Sequence, residues 1–183
     1  MYDAVGREHQ LAAALGAFMP FFDARGVAFV TIPDMRYPTT SHTGSVGIPG
    51  LSLIEYHTHF NVHDEWVLAC HRRADFVPGA TYRGSDLVNR QHLRQSYFWR
   101  AFLSRWGVTD ILTALIEASG TDGPASFITF HRHQGQQPYA KADVLQLARL
   151  VPDPRRVIED TVWIRYRAVK PEPAGVGPQR FDL

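Results

Sequence analysis

Apolar residues recur along this chain at two periods, and the switches between them mark out its elements. Leu11, Leu15 and Phe18 fall at helical spacing, which predicts an amphipathic helix over Glu8 to Phe18. After Gly26, the run Val27-Ala28-Phe29-Val30-Thr31-Ile32 is short and apolar and is stopped by Pro33-Asp34, as in a central strand. Residues 33–50 hold several Pro, Gly, Ser and Thr, with a weak second strand expected over Thr40 to Val46. Leu53, Tyr56, Phe60, His63, Val67 and Cys70 then alternate at intervals of three and four, which predicts one helical face. Asn61 is placed to cap a second helix with Asp64 at its third position, so a break is expected there.

Residues 74–88 read as a connector turning at Pro78-Gly79. Arg90 to Trp106 is the strongest predicted helix, with Leu93, Tyr97, Phe98, Ala101, Phe102 and Trp106 making a broad apolar face, and Gly107 ends it. Ile111 to Ala118 and Ala125 to His133 are predicted strands joined by turn residues, hence a hairpin. Ala140 to Val151 closes the core as a helix before Pro152-Asp153-Pro154 breaks it. Val157 to Ala168 is a further weak helix, followed by Pro- and Gly-rich linker composition from Lys170 to Pro178. This order of elements predicts an α+β domain, an antiparallel sheet with helices packed on its faces.

Composition narrows the function classes. A chain of 183 residues with 45% hydrophobic and 20% charged residues is an ordinary globule able to bury a core. A formal charge of +1 gives no electrostatic reason for these residues to bind nucleic acid. One cysteine, Cys70, excludes an internal disulfide framework and fits a reducing compartment. The apolar run Leu11 to Phe22 is interrupted by Pro20 and falls short of the roughly 20 residues a membrane span needs, so a cytoplasmic location is expected.

The candidate chemistry concentrates in Tyr56-His57-Thr58-His59-Phe60-Asn61-Val62-His63-Asp64-Glu65-Trp66. As helix, this stretch is one wall of an apolar pocket with a polar anchor. As strand, His57 and His59 point the same way and are similar to a cupin metal motif, which would make the protein a metal-dependent enzyme. The spacing from His59 to Glu65 is one residue too long for that motif, and on a helix the two histidines lie about 200° apart. His131-x-His133 reads as solvent-exposed polar alternation. Cys70 sits on the apolar helix face, where a thiol is ordinarily inert packing. No nucleophile elbow, phosphate-cradling glycine loop or catalytic carboxylate pair is present, so no catalytic residue, no metal and no cofactor are expected, and the protein is not expected to be an enzyme.

Tyr56-x3-Phe60-x3-Asp64-x-Trp66 resembles the Tyr-x3-Tyr-x3-Asp-Pro-Trp pattern in the N-terminal sensor domains of LuxR-type transcriptional regulators. Pro78-Gly79, Gly84-Ser85-Asp86-Leu87-Val88 and Leu93 to Leu103 ahead of Gly107 are similar to the connector and aromatic helix of the same group. The likeness runs over residues 8–156. It departs at Glu65, where proline is usual, at Pro152-Asp153-Pro154, and in having no helix-turn-helix.

The resemblance implies a GAF- or PAS-like ligand-sensing domain over residues 1–156, with residues 157–183 as a helix and linker toward an absent DNA-binding domain. It further implies transcription regulation and a small, largely apolar ligand held by Tyr56, Phe60, Asp64, Trp66 and Trp99, with Asp64 accepting a hydrogen bond from a ligand amide. DNA contact would come only through the missing helix-turn-helix. A homodimer is expected through the N-terminal helix around Leu11 and Leu15 or the tail around Ile158, Val162 and Tyr166. The plainer readings are that the aromatics are core, that Asp64 caps a helix, and that the chain is a ligand-free dimerisation module.

Overall fold

The computed structural model describes residues 11–34, 41–73, 76–118 and 123–151. Five strands, β1 (Gly26–Ile32), β2 (Ser41–Val46), β3 (Thr81–Arg83), β4 (Val108–Ala118) and β5 (Ala125–His133), form an open sheet. Their order is β2-β1-β5-β4-β3, with every neighbouring pair antiparallel. Helices pack on both faces, so the architecture is α+β and GAF-like, as the sequence predicts.

Both faces of the central strands are therefore buried, and side-chain alternation sorts residues between two interiors rather than between core and solvent. On one face, Val27, Phe29, Leu112, Ala114, Ile116 and Phe130 pack against helix α1 (residues 11–18) and the closing helix. Leu11 and Leu15 are only 5% and 4% exposed there, so the N-terminal leucines expected to mediate dimerisation belong to the domain's own core. Burying side chains of this size contributes on the order of 1.5–3 kcal/mol each, which is why the amphipathic stripe docks inward.

The lead into the closing helix is tied down by buried polar groups. Asp110 accepts hydrogen bonds from the Ile111 and Tyr139 backbone amides, and Arg132 donates to the Phe22, Gln137 and Pro138 carbonyls while its guanidinium lies 4.1 Å over the Tyr139 ring.

The other face carries the interrupted helices. α2 (Gly50–Glu55) continues into a π turn, Tyr56–Phe60, a 3-10 turn, Asn61–His63, and then α3 (Glu65–His71). The break falls where the sequence predicts it, but the cap differs. Asn61 turns its side chain to the neighbouring Val62 amide, and Asp64 caps α3 by accepting from the Trp66 and Val67 amides at 2.9 and 3.1 Å. The connector holds β3 and the short helix α4 (Gly84–Leu87), neither predicted.

The long predicted helix is also divided. α5 (Arg90–Gln95) ends where Ser96 turns extended, at ψ 157°. Its hydroxyl accepts from the Trp99 amide and so caps the next helical stretch, which runs through a second π turn, Trp99–Leu103, into α6 (Ser104–Trp106). Gly107 ends it at φ +72°, a left-handed position that suits glycine. α7 (Lys141–Leu150) closes the described fold. The predicted tail helix and linker lie outside the described residues. Among the described residues no helix is long and apolar enough to cross a membrane.

Candidate ligand-binding site

Between the sheet and the interrupted helices lies a cavity of about 120 Å³. A single water needs on the order of 10–15 Å³ of such space, so the cavity suits a small molecule rather than one bridging water. The sheet supplies Ala28, Val30 and Ile32 from β1, Ile111 and Thr113 from β4, and Phe127, Thr129, His131 and His133 from β5. The helical wall supplies Ser52, Leu53 and Tyr56, then Asp64, Trp66, Val67 and Cys70, then Phe98, Phe102, Leu103 and Trp106. Apolar groups dominate, as in most small-molecule sites.

The two π turns face one another in this wall. Phe60 and Phe102 stack at 4.9 Å between ring centroids, Phe98 and Phe102 stack at 5.5 Å, and Tyr56 lies 5.8 Å from Phe102. A π turn offsets the side chains beyond it relative to a regular helix, and such turns are frequent at functional sites. Tyr56, at the start of the first π turn, lines the cavity, and Phe60, at its end, is buried in the aromatic cluster.

Asp64 is the polar centre of the helical wall. One carboxylate oxygen caps α3; the other accepts a 2.8 Å hydrogen bond from the Tyr56 hydroxyl. Burial pushes its pKa up to about 6, although the Tyr56, Val67 and Trp66 donors each pull it down. Trp66 is 4% exposed and its indole N–H has no hydrogen-bond partner among the described residues. At another part of the lining, Trp106 donates to Glu55 at 3.0 Å, and Arg105 holds the other oxygen of that carboxylate at 3.0 Å, tying α6 to α2.

Of the residues singled out from sequence, Tyr56, Asp64 and Trp66 line the cavity together. Phe60 and Trp99 are not among the lining residues: Phe60 is buried among aromatics and Trp99 packs at the edge of the same cluster beneath Arg94. His131 and His133, read from sequence as solvent-exposed, are half-buried and face the cavity. Their strand is covered on both sides, so its polar face is an interior one. Burial, with Arg25 second, holds His133 below the usual imidazole pKa.

The cupin reading does not survive the fold. The sheet is open, and His57 and His59 lie on the π turn rather than on a barrel strand. Among the described residues no group of three or more His, Cys, Asp or Glu is placed to hold a metal ion.

No protein-family model matches the chain, and no curated protein matches it in sequence. Solved structures do match in fold. The VqsR ligand-binding domain from Pseudomonas aeruginosa superposes with TM-score 0.55 at 13% identity, covering 82% of this chain and 89% of that one. The N-acylhomoserine lactone dependent LuxR family transcription factor CepR2 from Burkholderia cenocepacia gives TM-score 0.52 at 12% identity, covering 91% and 95%. A GAF domain/HD domain protein from Geobacter sulfurreducens gives TM-score 0.50 at 14% identity, covering 80% and 88%.

Proposed function

We propose that this chain is the small-molecule-sensing domain of a LuxR-type transcriptional regulator, binding a small, largely apolar ligand with a polar head. The observation that carries the reading is Asp64, a carboxylate buried in the wall of an otherwise apolar cavity and oriented by Tyr56. A buried carboxylate is costly unless partnered, and a ligand N–H gives it another donor inside the cavity. An acyl amide has this chemistry, with a chain for the aromatic wall and an N–H for Asp64, and the fold likeness to an acylhomoserine-lactone-dependent regulator supports that class.

On this reading the protein works by binding rather than catalysis, in the cytoplasm and as a homodimer, and any DNA contact belongs to a helix-turn-helix domain rather than to the residues described here. The test is calorimetric titration of native protein and Asp64→Asn with N-octanoyl homoserine lactone. Binding that weakens in the variant supports the reading. Equal affinity in both proteins, or no binding to either, returns Asp64 to a purely structural cap.

A further inference from the structure

α2 is a loosely held part of the cavity wall. Ser52 is its one buried residue, and the Ser52 hydroxyl turns back to the Pro49 carbonyl at 2.6 Å. Leu51 and Ile54 are exposed, and no side chain caps the helix at Pro49. Beyond the π turn that continues it, α2 makes no extensive contact with another described element. A helix of six residues does not stand alone, so packing must hold it in place. A segment with few buried apolar contacts opens well before the whole domain does.

This wall stands at the cavity mouth. Pro49, immediately ahead of α2, lines the cavity and is exposed, while Ile48, Leu53 and Trp106 are half-buried. Ile48 sits where β1 begins, its side chain over Gly26. The far end of the cavity, where β1 finishes, is closed by Ile32, Cys70 and Phe127, all buried. Glu55 crosses the mouth from outside. One oxygen of its carboxylate accepts the Trp106 indole N–H at 3.0 Å, and the other holds the Arg105 guanidinium at 3.0 Å. Neither Glu55 nor Arg105 is among the lining residues, so this tie joins α2 to α6 without occupying ligand space.

We propose that α2 is the gate of the cavity and that Glu55, held by Trp106 and Arg105, is its latch. The helix is bounded by an uncapped start at Pro49 and by the π turn from Tyr56, two places where regular helical hydrogen bonding is already interrupted. It moves between them, and α6 stays with the aromatic cluster. The inference concerns passage into the cavity and stands whichever molecule the cavity holds.

Cys70 reports that passage, because it is the chain's single cysteine and lies at the closed end of the cavity. The probe is iodoacetamide, with alkylation of native protein and variants followed by mass spectrometry. Glu55→Ala and Arg105→Ala are each expected to label roughly three- to tenfold faster than native protein, the effect of losing about one hydrogen-bonded tie. Labelling through a gate is insensitive to low urea, whereas labelling through global unfolding rises steeply with it. Hydrogen exchange of the α2 amides should rise by the same factor and share that insensitivity. Glu55→Arg should label as fast as Glu55→Ala, and adding Arg105→Glu should restore part of the protection by rebuilding the ion pair in reverse. Native labelling that tracks global unfolding at every urea concentration, native rates in both alanine variants, or faster labelling without faster exchange in α2 overturns the gate. A charge-reversed pair that labels as fast as Glu55→Arg alone overturns Glu55 as its latch.

Discussion

Tyr56 donates a 2.8 Å hydrogen bond to Asp64 across eight residues of chain, joining the π turn after α2 to the N-cap of α3. The bond spans a 3-10 turn and fixes both polar groups against the cavity. Removing the hydroxyl in Tyr56→Phe leaves one buried carboxylate oxygen short of a donor. The expected loss is about 1–3 kcal/mol of stability, measured by denaturant unfolding at neutral pH. The carboxyl should also titrate above its native value, followed by carbon NMR of the aspartate side chains. A Tyr56→Phe protein with native stability and native titration would mean that this bond does not form in solution.

Asp64 itself makes stability depend on pH in a defined direction. Its folded pKa of about 6 lies above the ordinary 3.8, so the folded state holds the proton more tightly than the unfolded chain does. That contribution is fully present below pH 3.8 and is lost as pH rises through about 6. That difference corresponds to roughly 3 kcal/mol as an order of magnitude. Asp110, raised by burial as well, adds in the same direction. Asparagine caps helices about as well as aspartate does, so Asp64→Asn should keep α3 while removing this dependence. The measurement is the difference between native and variant unfolding free energies across pH 4 to 7; a constant difference would contradict the assignment.

The same substitution bears on ligand binding. A hydrogen bond from a ligand amide to an ionised carboxylate is worth about 1.5–3 kcal/mol, so Asp64→Asn should lower affinity roughly ten- to a hundredfold. Native affinity should fall as pH drops below about 6, where the carboxyl takes up its proton, and the variant should show no such dependence. Calorimetry at pH 5 and pH 7 on both proteins reads the two effects together.

Gly84 tests how α4 approaches the sheet. A Cβ there would lie 2.5 Å from the Asp110 carboxylate and 2.9 Å from the Trp66 indole nitrogen. Neither can retreat easily, since Asp110 is held by the Tyr139 and Ile111 amides and Trp66 is packed in the core. Gly84→Ala is expected to cost about 1–3 kcal/mol and to shift the fluorescence of Trp66. A variant as stable as the native protein would mean that α4 does not pack this closely.

Much of the architecture is legible in the chain because its strongest signals are local. The apolar run after Gly26 and the stop at Pro33 bound β1, and Gly107 ends a helix at the one conformation that favours glycine. β3 escapes notice because it is three residues long and buries only Tyr82. The helix breaks are harder for a different reason. The three-and-four spacing of Tyr56, Phe60 and His63 persists through the π turn, so periodicity shows the segment but not its offset. Ser96 reads as an ordinary helix residue until its hydroxyl is seen capping Trp99.

The site divides along the same line. Tyr56, Asp64 and Trp66 share a short segment and can be found together in the sequence. His131 and His133 reach the cavity only through a sheet covered on both faces, a tertiary fact that reverses the meaning of polar alternation.

Association is the remaining expectation: of the two surfaces named for it, the tail around Ile158, Val162 and Tyr166 lies outside the described residues, and the described fold leaves a further apolar face exposed. With Leu11 and Leu15 committed to the core, the apolar side chains left outside on α2 are Leu51 and Ile54, 70% and 61% exposed and three residues apart on one helical face. Val62 and Tyr97 are also exposed, at 50% and 55%. A second copy of the chain packing on the α2 face would bury Leu51 and Ile54 beside the segment that carries Tyr56, so ligand binding and association would share one wall. Light scattering at micromolar concentration should give twice the 20.7 kDa chain mass. Leu51→Glu combined with Ile54→Glu should return it to a monomer, since charges cannot be buried unpaired at such an interface. Neither side chain lies in the core, so circular dichroism and thermal unfolding at low concentration should be unchanged. A native protein that scatters as a monomer removes the dimer. A double variant that remains dimeric moves the interface away from α2.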